Sequence, residues 1–159
     1  MLRTLRPFQF LGTCVLALLF SCSLFGQQYR ALLITQTAGW QHESTFDAIP
    51  AMHKLADRHD FKLDHKQKAM PLTASQLENY DVVIMINTTG DIFNEKEQEA
   101  MEAFIQSGKG WVGVHAASDT EYEWKWYTDM VGHMFHIHPH VQTAMLDVHD
   151  NSFPGLTIL

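Results

Sequence analysis

His115, His42 and His138, with Asp119 and Glu121, are the side chains of this sequence best suited to chemistry. An imidazole with an ordinary pKa of about 6.5 is mostly neutral at pH 7, so it can take a proton, give one or ligate a metal. The 159 residues include ten histidines, five of them between His115 and His140. His115 lies in Gly113-Val114-His115-Ala116-Ala117-Ser118-Asp119, at the end of a β-favouring run from Gly110 to Val114. A nucleophile elbow would place serine or cysteine there, as G-x-S-x-G or G-x-C-x-G. Histidine in that place offers general acid or base catalysis or metal ligation, with Asp119 or Glu121 to orient the ring. The competing reading is a loop histidine tied to a backbone carbonyl.

Two more clusters carry chemical potential. His136-x-His138-x-His140 would point three imidazoles to one face of an extended segment, a spacing that suits zinc or another divalent ion. Pro139 interrupts that regularity, which leaves open a solvated histidine-rich loop, or His138 acting alone beside His42 and His115. Tyr122, Trp124, Trp126 and Tyr127 offer faces that stack on the apolar C–H patches of sugar rings, although such a run also serves as core.

The elements that must position these groups follow from periodicity. Tyr29 to Thr35 reads as a central strand, and Phe46, Ile49, Met52 and Ala56 recur at helical spacing, with Pro50 expected in the first turn. Phe61 to His65 alternates like a half-buried strand. Thr73 with Gln76 opens a short helix, and Asn94 with Glu97 opens a longer one carrying Ala100, Met101 and Phe104. Asp81 to Asn87 is nearly unbroken apolar, as in a parallel strand buried on both faces. After Gly110 to Val114 come a helix around Trp124 to Val131 and an expected strand from Val141 to Val148. Strands alternating with helices imply a flavodoxin-like three-layer α/β sandwich with a mostly parallel sheet. Ligands of such folds bind at the carboxyl ends of the strands. Three loops should meet there, bringing Trp40 and His42, then Thr89, then His115, Ser118, Asp119, Glu121 and Tyr122. The expected catalytic set is His115, Asp119, His42 and Glu121. The expected substrate contacts are Trp40, Thr89, Ser118, Tyr122 and Trp124. His42, His115 and His138 are the candidate ligands for a divalent metal such as zinc.

Composition bounds the remainder. Arg3 and Arg6, an apolar run from Phe10 to Phe20 and a small or polar stretch after it read as a signal peptide over residues 1–26. The alternative is a lipoprotein signal with a lipid on Cys22, which would be the only route to a membrane. Both imply an exported, periplasmic or membrane-anchored protein, with the domain over residues 29–159. Both cysteines, Cys14 and Cys22, fall in the leader, so cleavage after Gly26 leaves no disulfide and no thiol nucleophile. Without Arg3 and Arg6, nine basic side chains face 18 acidic ones, a balance that repels nucleic acid. The chain ends on Thr157-Ile158-Leu159 with no closing helix, which suggests a domain lacking its final segment.

His42-Glu43-Ser44, Asp81-Val82-Val83, Gly113 to Thr120, the aromatics from Tyr122 to Tyr127, Val131-Gly132 and His138-Pro139 with Gln142 together resemble the ThuA-like (trehalose-utilisation) family. The resemblance covers nearly all the chain after the leader. It implies a class I glutamine amidotransferase-like fold without the cysteine. It also implies a role in catabolism of trehalose, sucrose or related glycosides, through 3-keto-sugar intermediates in some routes. His42, His115, Asp119 and His138 occupy the family's polar motif positions. A non-catalytic sugar-binding or accessory module that partners an oxidoreductase of the same pathway is the alternative from a different class.

Overall fold

The structure, a computed structural model, describes residues 27–67, 71–145, 147–150 and 152. The expected leader over residues 1–26, with Cys14 and Cys22, and the final Thr157 to Leu159 lie outside the described residues. Four parallel strands form the main sheet: β1 (Arg30–Ile34), β2 (Lys62–Lys66), β3 (Val82–Ile86) and β5 (Gly110–Val114), in the order β2-β1-β3-β5. Ala31 to Ile34 are wholly buried, as the central position of β1 requires. The order reverses between β1 and β3, and their carboxyl ends open the crevice where doubly wound folds take ligands.

Helices cover both faces. On one, α1 (Thr45–Arg58) packs Ala56, with Ile49 and Met52, against Ala31, Leu33 and Ile84. On the other, the short α2 (Ala74–Leu77), α3 (Glu95–Gln106) and α4 (Lys125–Val131) close over Leu32, Ile34, Val83 and Met85. Met101, Phe104 and Tyr127 fill that layer, each buried side chain contributing about 1.5–3 kcal/mol. Both expected capping boxes form: Thr73 with Gln76, and Asn94 with Glu97. The flavodoxin-like α/β architecture is therefore present.

Two expectations require correction. Pro50 lies at the sixth residue of α1, past the first turn. The helix begins early because Asn87 Nδ2 donates to both Ser44 Oγ and Thr45 Oγ1, at 3.0 Å each, pinning the chain from β3. The expected strand from Val141 to Val148 does not form among the described residues. Val141 and Met145 are fully or almost fully exposed, so the alternating side chains there have no apolar surface to pack on.

A short parallel pair absent from the sequence reading joins the loops. β4 (Thr89–Gly90) pairs with β6 (Asp119–Thr120), and Thr37 bridges to Thr89. Chain leaving β1, β3 and β5 is thereby stitched together at one end of the sheet.

Candidate active site

The loop after β1 is held by backbone bonds from Ala38 N and Gly39 N to the Thr89 carbonyl, at 2.7 and 3.2 Å. Thr89 Oγ1 donates to the Trp40 carbonyl at 2.9 Å and also contacts Thr37 Oγ1. Gly90 has φ +70, and a Cβ there would press on Gly39 N, so only glycine lets these two loops approach so closely. The clamp presents Trp40 outward and turns His42 toward the end of β5.

At that end His115 adopts φ +52, a left-handed conformation that is strained for a residue with a side chain. A single 3-10 turn, His115–Ser118, follows. It is fixed from below: Tyr127 Oη donates to the Ala117 carbonyl at 2.7 Å, and Thr120 Oγ1 to the Ala116 carbonyl at 3.3 Å. A Cβ on Gly113 would collide with the Trp111 ring, so the strand must carry glycine two residues before the histidine.

These constraints bring His42 and His115 into edge-to-face contact, with ring centroids 4.7 Å apart and an interplanar angle of 82°. They are 73 residues apart in sequence and come from opposite sides of β3. Together with Ala116, Ser118, Asp119, Phe135 and His138 they line a cavity of about 220 Å³. An adjoining, wider compartment shares His42, His115, Asp119, Phe135 and His138 and adds Trp40, which is 75% exposed. The Nδ1 of His42 is buried without a hydrogen-bond partner among the described residues.

Electrostatics favours a neutral His42. Burial lowers its pKa most, then repulsion from His115; His138 adds to the drop and Asp119 opposes it. A depressed imidazole pKa stabilises the fold above the unfolded value of about 6.5, and that contribution is lost as pH falls. In an NMR titration His138→Gln should raise the His42 midpoint and Asp119→Asn should lower it. Movement of either in the opposite direction would contradict this arrangement of charges.

The remaining expected site residues divide clearly. Ser118 lines the cavity, and its hydroxyl donates to the His115 carbonyl at 3.3 Å. Glu121 does not line it: its carboxylate is 1% exposed and accepts from Ile92 N, Phe93 N and Gln98 Nε2 at 2.6, 2.8 and 2.7 Å. Thr89 is buried in the loop clamp rather than facing ligand. Trp124 stacks on Trp126 and Tyr127, at 5.3 and 5.7 Å between centroids, and meets Phe93 edge-on, so it belongs to the core. Tyr122 spends its hydroxyl on Asp119 Oδ1 and the Phe135 carbonyl. Of His136, His138 and His140, only His138 lines the cavity, since the segment is not extended strand and nothing forces one face on the three rings.

As a metal cage the site does not fit ready-made. Among the described residues no group of three His, Cys, Asp or Glu is arranged to hold an ion, although His42, His115 and His138 share the cavity.

The sequence matches the family model described as ThuA, trehalose utilisation, over residues 30–159. The chain belongs to the ThuA family. Its fold is similar to a ThuA-like protein from Bacteroides uniformis ATCC 8492, with TM-score 0.57 and 25% identity, covering 67% of this chain and 44% of that one. A ThuA-like protein from Parabacteroides merdae ATCC 43184 is similar in fold at TM-score 0.50 and 20% identity, over 63% of this chain and 37% of that one. This ThuA chain thus spans less than half the length of either solved relative. No curated protein matches it. Trehalose utilisation, which describes the family, is a carbohydrate-related role of that family.

One cavity residue of this ThuA domain had no signal in the sequence. Phe135 lines the cavity through its docking on Ser118 and Tyr122, contacts between distant segments that no local pattern announces.

Proposed function

We propose that this domain processes a keto-sugar or glycoside by proton transfer, with the His42–His115 pair at its centre. The observation that carries this is the convergence of two imidazoles from separate strand ends on one cavity, flanked by Asp119 and His138. A cavity of about 220 Å³ is smaller than the usual 300–1,000 Å³ ligand pocket, which suits a single sugar ring. Trp40 stands at the outer compartment, where a second ring or aglycone would stack on it.

The chemistry that fits is elimination next to a ketone. A carbonyl at C3 of a sugar acidifies the C2–H bond. An imidazole base removes that proton, the electron pair forms the C1–C2 double bond, and the C1–O bond breaks. The departing alcohol oxygen takes a proton from an acid group, so the products are an unsaturated keto-sugar and an alcohol. His115, fixed at the end of β5, is the base. Asp119 and His138, lining the same cavity, are the groups available to orient the substrate or protonate the leaving oxygen. Such general acid–base help is worth about 10²–10⁴ in rate.

Incubating the protein with 3-keto-trehalose and with trehalose, and resolving products by mass spectrometry, tests the reading. Cleavage of the ketone-bearing sugar alone is the expected result. Binding of either sugar without any conversion, with or without added divalent metal, would replace it with a sugar-binding module. Trp40→Ala should raise KM about threefold to tenfold while leaving kcat unchanged, because stacking on an exposed ring holds ground and transition states alike. A fall in kcat with KM constant would move Trp40 to the reacting centre.

A further inference from the structure

We propose that Tyr122 is a positioning residue: its hydroxyl latches the irregular segment after α4 onto the turn after β5, and this latch sets His138 over the cavity. The consequence for turnover rests on the proton-transfer reading above, but the latch itself is a statement about geometry.

Gly132 ends α4 with φ +80, and the chain then runs without regular structure. His136, Ile137, His138 and His140 are exposed, so little apolar burial holds this stretch; Met134 leans on the core beside them. Among the described residues, both hydrogen bonds tying 133–145 to the rest of the domain pass through Phe135. Its N–H donates to the Ser118 carbonyl at 2.8 Å, and its carbonyl lies 2.7 Å from Tyr122 Oη. The same phenol oxygen lies 2.6 Å from Asp119 Oδ1, so its one proton is shared between a cavity carboxylate and the docked segment. Burial, with the bond and charge of Asp119, pushes the phenol up to about 12, which keeps it a donor through the physiological range.

Phe135 in turn fixes His138. Their ring centroids are 4.8 Å apart at 51°, and both rings line the cavity. Only His136 and Ile137 lie between the bonded carbonyl and that imidazole, so releasing the carbonyl frees the ring. Tyr122 has no lining position of its own, which separates it from a substrate contact.

The experiment compares wild type with Tyr122→Phe, which keeps the ring and removes only the hydroxyl. In wild type the ring current of Phe135 should displace the His138 ring-proton resonances from those of His136 and His140; a His138→Gln variant gives the assignment. In Tyr122→Phe most of that displacement should vanish, and the Phe135 amide should exchange roughly fivefold faster, the loss expected for one net hydrogen bond. The His115 resonances should stay in place, while those of His42 should change only as the charges of His138 and Asp119 beside it rearrange. An undiminished His138 displacement with an unchanged Phe135 amide overturns the proposal. So does movement of the His115 resonances together with those of His138, which marks general loosening of the turn after β5 rather than a latch. If the wild-type Phe135 amide already exchanges as fast as those of 141–145, the segment is not docked and the proposal fails without any variant. None of these readouts uses turnover, so their failure is distinguishable from failure of the catalytic reading.

Discussion

Replacing His115 should lower kcat on a 3-keto-disaccharide by about 10²–10⁴-fold while the sugar still binds, the loss expected when a general base is removed. The effect should fall on kcat because Trp40, Asp119 and His138, which line the same compartment, would remain to hold the ligand. His115→Asn is a cleaner variant than His115→Ala. The backbone at this position is left-handed, with φ +52, and asparagine tolerates that conformation better than alanine does. Folding should therefore survive in the asparagine variant, and steady-state kinetics with direct binding by calorimetry separates the two quantities. A kcat within threefold of wild type would remove His115 from the chemistry.

Glu121→Ala has the largest expected effect on stability. The carboxylate sits at φ +57 in a buried position and accepts from two successive backbone amides, Ile92 and Phe93, and from the Gln98 amide. Alanine would strand the Ile92 and Phe93 amides away from water, at a cost of about 1–3 kcal/mol for each unsatisfied group, and would also remove the acceptor of the partly buried Gln98 amide. A net loss of about 3–5 kcal/mol corresponds to a fall in Tm of roughly 10–20 °C for a domain of this size, measurable by calorimetry. Burial pushes the Glu121 carboxyl pKa up, against the pull of its three donors. A carboxyl raised on folding stabilises most below its unfolded pKa of about 4.3 and loses that contribution as pH rises through the folded value. Wild type should therefore lose stability relative to Glu121→Gln as pH rises across that interval. A Tm within about 3 °C of wild type for Glu121→Ala would show that the carboxylate is dispensable to the fold.

The fate of the five catalytic and metal candidates shows what a linear pattern can carry. His42, His115, Asp119 and His138 line one cavity, and Glu121, two residues after Asp119, does not. Both acids follow the same strand, so spacing alone could not separate them. The left-handed backbone at Glu121 turns its side chain inward to the amides preceding α3, while Asp119 stays at the rim. Trp124 went the same way: its ring is as suited to sugar as that of Trp40, but stacking on Trp126 and Tyr127 commits it to the core.

The alternation of the four main-sheet strands with their helices, the central β1, the two capping boxes and the glycine-flanked His115 followed from residue type and periodicity, because local sterics and amphipathic spacing act over a few residues. Which polar groups share the cavity was decided only in three dimensions. The β4–β6 pair, the Thr89 clamp and the docking of Phe135 join residues dozens of positions apart, and their geometry depends on hydrogen bonds that no local sequence pattern encodes.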